Sequence, residues 1–200
     1  MKSGTGRPLA PTLARRRQLL KFAALAPLGG LLAGIATHTH AQTSKGATVE
    51  ALQKNWKTLL APGADIAADA TPLKLADEEW KKRLPAPAYS VLRHEGTERP
   101  GSSPLNNEKR AGVFACAGCA LPLFTSDMKY DSGTGWPSFF TTIPGAFQSK
   151  TDFLLIVPRN EYHCARCGGH HGHVFDDGPR PTGKRYCNNG VALRFIPKQA

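Results

Sequence analysis

Two C-x-x-C pairs, Cys116 with Cys119 and Cys164 with Cys167, constrain this chain more than any other feature. Two thiolates three residues apart on a tight turn can face one ion, and zinc takes four such donors at about 2.3 Å in a tetrahedron. The 44 residues between the pairs, 120–163, exceed the roughly 15 to 20 of an ordinary zinc ribbon. The metal therefore staples something larger. Gly118 and Gly168 are expected to give the two turns their flexibility. A closed four-cysteine site leaves no open position for water, so one structural rather than catalytic zinc per chain is expected. The competing reading is two disulfides, as an oxidising compartment would allow. Against it, a C-x-x-C disulfide closes a very small loop and constrains the unfolded chain little.

The net charge of +11 suggests nucleic acid until it is split by position. Lys2, Arg7, Arg15, Arg16, Arg17 and Lys21 lie in residues 1–41, which hold no acid, and the rest has 20 basic against 15 acidic residues. That remainder is only mildly basic, so a nucleic-acid partner is not expected. Residues 1–41 have the layout of an export signal: a basic region, an apolar run from Phe22 to Ile35, and small residues up to Ala41. The run is shorter than the roughly 20 residues that span a bilayer, so no permanent membrane anchor is expected. Arg16, Arg17, Gln18, Leu19, Leu20 and Lys21 resemble a twin-arginine signature, although Arg15 stands where Ser or Thr is usual. A basic stretch of this kind could also mark a basic amphipathic helix. The expectation is an exported, periplasmic protein, with the Sec route as alternative and cleavage after Ala41. The twin-arginine resemblance implies metal loading before export, which favours zinc.

Residues 42–75 read as a helical extension. Val49, Leu52, Trp56, Leu59 and Leu60 recur at helical spacing from Ser44 to Leu60, and Pro62 with Gly63 ends the pattern. A second short helix is expected after Asp77 as N-cap, ending before Pro85, with Trp80 and Leu84 buried. From Tyr89 onward the texture turns to short apolar runs, Gly112–Ala115, Phe153–Val157 and Val191–Ile196, separated by Gly, Pro, Asn and Asp. Twenty Gly and 16 Pro in 200 residues are too many for a helical bundle. A mainly β domain follows.

Three places carry chemistry besides the paired cysteines. Trp136 follows flexible glycines and precedes the rigid Pro137, a setting for a pocket wall or for an ordinary core residue. His170, His171 and His173 follow the second pair; adjacent residues in a strand point apart, which leaves His170 and His173 as partners, with metal binding there the lesser reading. Cys187 stands two residues after Arg185, and a neighbouring cation lowers a thiol pKa, as a nucleophilic cysteine requires. The plain alternative is a buried structural cysteine.

The ordered motifs from Trp80 to Ile196 resemble the peptide methionine-R-sulfoxide reductases, the methionine sulfoxide reductase B family. They comprise Tyr89–Arg93, then Gly96, Thr97 and Glu98, Asp131–Phe139, His170–Phe175, Gly178 with Pro179, and Pro181, Thr182 and Gly183 leading to Arg185, Tyr186 and Cys187. The four paired cysteines fall in register. The resemblance implies two antiparallel β-sheets with a structural zinc held by Cys116, Cys119, Cys164 and Cys167, within a catalytic domain over 76–198. It implies Cys187 as nucleophile, His170, His173 and Asn189 as polar groups lining its pocket, and Trp136 as the wall that receives the sulfoxide methyl. The implied reaction is thiol-dependent reduction of methionine-R-sulfoxide through a Cys187 sulfenic acid, with His170 or His173 as imidazolium protonating the oxygen. The partners implied are an oxidised peptide or protein and an external reductant such as a thioredoxin-like protein, the enzyme acting as a monomer.

Three departures stand out. His171, and Asn188 with Gly190, replace more usual residues, and as flanking positions are expected to tune substrate preference. Thr134 stands where many relatives have a second, resolving cysteine. Two rival functions remain: a zinc-stapled peptide- or nucleic-acid-binding module, which leaves Cys187 and the histidines unexplained, and a Cys–His thiol hydrolase.

Overall fold

Nine antiparallel strands form two sheets in the computed structural model, which describes residues 47–152 and 159–199. The proposed signal, 1–41, and the expected strand Phe153–Val157 lie outside the described residues. In chain order the strands are β1 (Gly112–Cys116), β2 (Pro122–Thr125), β3 (Lys129–Tyr130), β4 (Ser138–Phe139), β5 (Phe147–Asp152), β6 (Arg159–Cys164), β7 (His170–Phe175), β8 (Arg185–Asn188) and β9 (Leu193–Pro197). One sheet has the order β2-β1-β9 and the other β3-β4-β8-β7-β6-β5. The expected mainly β architecture of two antiparallel sheets is present.

The helices differ in detail from the sequence pattern. The segment read as one helix to Leu60 is α1 (Val49–Lys54), capped by the Thr48 side chain, followed by a 3₁₀ turn over Asn55–Leu59. Asp77 is the first residue of α2 (Asp77–Arg83) rather than its cap, a position occupied by Ala76. A third helix, α3 (Ala86–His94), occupies a stretch read as the start of β texture. Pro85 and Pro87 look like terminators in sequence, but proline fits the start of a helix, where its missing N–H costs nothing. Val91 and Leu92 form its buried face with Ala88, and Glu95 ends it in the left-handed conformation. No helix among the described residues is long and apolar enough to cross a membrane.

The core lies between the sheets and is rich in aromatic rings. Phe139 of β4 stacks on Phe124 of β2 at 3.9 Å and meets the edge of Phe114 of β1 at 5.1 Å, joining the two sheets. Such pairs contribute about 0.5–1.5 kcal/mol beyond the area they bury. Tyr162 lies between Phe147 and Tyr186, so one face of the six-stranded sheet is apolar. The other face carries polar side chains. Leu52, Ala67, Trp80, Leu84 and Leu92 belong to the same buried cluster as the strand residues.

Candidate active site

The four paired cysteines converge, and they tie one sheet to the other. Cys116 ends β1 and Cys164 ends β6, while Cys119 and Cys167 sit on the turns that follow. All four sulfurs lie within 4.8 Å of one another and all four residues are buried. Cys116 and Cys167 Sγ are 3.7 Å apart and Cys119 and Cys164 Sγ 3.5 Å, close to the roughly 3.8 Å between donors of a tetrahedral zinc–thiolate centre. Neither C-x-x-C forms a disulfide. The donor set fits a structural zinc, and zinc would link β1 to β6.

Both turns are held by other parts of the chain. Arg93 of α3 donates to the Cys167 carbonyl at 2.9 Å, and Arg166 to that of Cys119 at 2.8 Å. The Ala67 and Leu73 N–H groups bond to the carbonyls of Ala120 and Arg166, so the segment before α2 wraps the same turns. The residue after the second cysteine of each pair is left-handed: Gly168 at φ 69° and, in the first turn, Ala120 at φ 62°. Gly118 does not occupy that conformation, so the expectation that it supplies the first turn's freedom is corrected.

Cys187 lies on β8 in the polar face of the larger sheet. Directly opposite it are Ser138 on β4 and His173 on β7, and opposite His173 is Glu161 on β6. Cross-strand partners point to the same face, so these four side chains form one row. His170 joins them through an irregularity. On a regular strand His170 and His173 would face opposite sides, but the β6–β7 register shifts between Tyr162 and His163. As a result the His170 and His173 rings lie 5.5 Å apart, centroid to centroid. His171 is turned the other way, into the core, between Phe147 and Tyr162.

Cys187 is half-buried, and burial pushes its thiol above the ordinary value; the Arg185 charge and a hydrogen bond with Thr134 pull the other way. The expectation of a depressed thiol pKa is therefore corrected: desolvation outweighs the cation. Arg185 itself is fixed by Asp177, which takes its Nε and Nη2 hydrogens at 2.8 Å each, and by the Phe175 ring at 4.2 Å. Burial also lowers His170 to about 4. An imidazole with that value is neutral at pH 7, so His170 is not the imidazolium acid in the resting site.

Glu98, a motif residue to which the sequence assigned no role, ties Trp136 to the turn after β8. Its carboxylate accepts the N–H groups of Gly190 at 2.6 Å and Val191 at 3.0 Å, closing the turn after β8. Its carbonyl accepts Trp136 Nε1–H at 3.2 Å, and its own N–H donates to Asn189 Oδ1 at 3.0 Å. Trp136 is thus clamped with its ring partly exposed. Asn189 is buried, and its Nδ2 donates to the His171 carbonyl. It shapes the site through the main chain it holds. A cavity of about 290 Å³ opens beside Trp136, with Tyr130, Asp131 and Gly133 in its wall.

Two of the departures noted in the sequence do not flank a pocket. Asn188 has no exposed surface; it accepts from Tyr162 Oη at 3.0 Å and donates to the Asn189 carbonyl at 2.7 Å. His171 has none either. Both belong to the core behind Cys187, so they cannot touch a substrate. Thr134 does lie at the cysteine, in a hydroxyl cluster with Ser132 and Ser138.

A family model described as the SelR domain matches residues 84–197. The chain is similar to a peptide methionine sulfoxide reductase MsrB of Methanosarcina barkeri, with 53% identity over 60% of this chain and 85% of that protein. It is also similar to proteins of the same name from Leifsonia xyli, with 50% identity over 62% and 90%, and Agrobacterium fabrum, with 48% over 61% and 91%. Matched over more than half of its length and across most of these relatives, the chain belongs to the SelR-domain family of methionine sulfoxide reductase B proteins.

Proposed function

We propose that the chain is a peptide-methionine (R)-S-oxide reductase that repairs oxidised proteins, with Cys187 as nucleophile. The observation that carries this is the direct cross-strand pairing of Cys187 with His173 on the polar face, with Trp136 tied through Glu98 to the turn that follows the Cys187 strand. The relatives' name supplies the substrate class. Trp136 offers the sulfoxide methyl an apolar wall. The Cys187 proton passes to His173, and the thiolate attacks the sulfoxide sulfur. The His173 imidazolium then protonates the oxygen, so that oxygen transfers to Cys187 as sulfenic acid and the thioether leaves. Two external thiols complete the cycle: the first forms a mixed disulfide and water, and the second releases a disulfide and restores Cys187. His170 stays neutral and donates a hydrogen bond, and Asn189 is a positioning residue. The zinc, when bound, would supply rigidity and no reacting group.

The test is an assay with both epimers of a methionine-sulfoxide peptide and a dithiol. Reduction of the R epimer alone, lost in Cys187→Ser, supports the reading. Activity retained in the serine variant, or no reduction of either epimer, overturns it.

We further propose that residues 1–41 are a twin-arginine-type export signal, 42–75 an extension and 76–198 the catalytic domain, acting as a monomer in the periplasm. The acid-free basic stretch and its apolar run support the first of these. Replacing Arg16 and Arg17 by lysine keeps the charge, so export should fail only if a receptor reads arginine itself. Unchanged export of that variant would point to Sec.

A further inference from the structure

Glu161, His163 and His170 meet on the polar face, His170 one strand over from Cys187 and the other two on the strand beyond. Each offers a ligand atom within 4.8 Å of the others. His163 and His170 are cross-strand partners, and Glu161 precedes His163 by two residues on the same face of β6. We propose that these three residues form a second metal site that binds a divalent transition ion of the zinc class.

Three observations carry this. The set, two imidazoles and one carboxylate, is a donor combination that divalent transition ions accept while keeping positions open. The spacing suits it: Glu161 Oε2 lies 2.5 Å from His163 Nε2 and 3.7 Å from His170 Nδ1. Those distances bracket the roughly 3.4 Å between neighbouring oxygen and nitrogen ligands of a tetrahedral centre, so small side-chain rotations suffice. Finally, His170 is 2% exposed, and neither ring nitrogen makes a full hydrogen bond: Nδ1 has only the Glu161 carboxylate at 3.7 Å. A buried polar group so poorly satisfied costs free energy that a ligand would recover.

The surroundings are those of a ligand held in place. His163 Nδ1 faces the Gly168 carbonyl at 3.2 Å, leaving Nε2 toward Glu161. Metal-bound imidazoles are oriented in this way, by a carbonyl on the nitrogen that does not bind. His163 is partly exposed, so an ion can enter from solvent. This site is distinct from the four-cysteine cluster, with which it shares no donor. An ion held there would engage His170 and so slow sulfoxide reduction; that consequence rests on the function proposed above, whereas the binding does not.

The experiment uses the full chain carrying Cys187→Ser, so that the free thiol cannot bind metal, with its structural zinc already loaded. Calorimetric titration with zinc should show one further equivalent per chain, and His163→Ala in the same background should weaken it by at least about tenfold. Added cobalt should shift the ring-proton resonances of His163 and His170 in the Cys187→Ser protein, a readout that needs no change at the site. No further equivalent, or equal binding in the His163→Ala protein, or cobalt shifts that spare both rings, would overturn the site. In the enzyme with Cys187 intact, excess zinc should slow reduction reversibly, with the inhibitory concentration raised at least about tenfold in His163→Ala. An inactive enzyme that still bound the second ion would fault the proposed function and not the site.

Discussion

Gly172 packs directly beneath Cys187: a Cβ built on Gly172 would collide with the Cys187 carbonyl oxygen. Gly172 also has φ 152°, a conformation that side-chain-bearing residues rarely adopt. The position of the main chain at Cys187, the proposed nucleophile, therefore depends on a missing side chain one strand away. Gly172→Ala should destabilise the fold by about 3 kcal/mol or more and reduce sulfoxide reduction beyond what the unfolded fraction accounts for. Urea unfolding together with activity per folded molecule checks this. A variant as stable and as active as the parent would show that β7 and β8 can separate at no cost.

The raised Cys187 thiol gives a prediction with a definite sign. Only the thiolate reacts, so alkylation of Cys187 should rise with pH, and its midpoint should lie above the ordinary thiol range because burial outweighs Arg185. Arg185→Met removes the cation and should push the midpoint higher still, slowing alkylation near neutral pH by roughly threefold to tenfold. Iodoacetamide kinetics on the zinc-loaded protein measure it, since the other four cysteines are buried together at the zinc site. A midpoint below the ordinary range would mean that Arg185 and the Thr134 hydroxyl outweigh burial.

The pairs of cysteines announce the staple in the sequence, because ligand spacing is local chemistry, and the strand texture announces the sheets. Other relationships are not local. His170 and His173 share a face only because the β6–β7 register slips near His171, and no residue pattern encodes that shift. Glu98 bonds to groups more than 90 residues away, at Gly190 and Val191, so its role appears only when the chain closes. α3 escaped the pattern because Pro85 and Pro87 can stop a helix or start one, and composition does not say which. The direction of the Cys187 shift also depends on burial, which sequence neighbours do not give.

His171 has no exposed surface, and its ring nitrogens make no well-formed hydrogen bond, the Asn188 side chain giving only a weak interaction. Burial lowers it to about 3. Below about pH 6.5 the unfolded chain takes up a proton there that the folded protein refuses, so stability falls as pH drops from 6.5 toward 3. For this one group the loss at pH 4 is on the order of 3 kcal/mol. His171→Leu should remove that part of the acid limb and, by deleting a poorly satisfied buried polar ring, stabilise at pH 7 by about 1–3 kcal/mol. Parallel urea melts of both proteins at pH 7 and pH 4.5 test it. An unchanged difference between the two pH values would place the acid sensitivity elsewhere.

The last prediction follows from Thr134 at Cys187. The chain has five cysteines, four of them gathered at the zinc site, and at Cys187, the proposed nucleophile, the neighbouring group is a hydroxyl, which cannot resolve a sulfenic acid. The Cys187 sulfenic acid should therefore persist until an external thiol attacks it, at a rate set by that thiol's thiolate fraction and its access past Trp136. One equivalent of R-sulfoxide peptide without reductant should yield a Cys187 adduct with a sulfenic-acid trap and release no zinc. Introducing Thr134→Cys should instead give a disulfide between the new thiol and Cys187, and shorten the trappable lifetime. Peptide mapping that found Cys187 of the parent bonded to Cys116, Cys119, Cys164 or Cys167, with zinc set free, would show that a metal ligand serves as the resolving thiol.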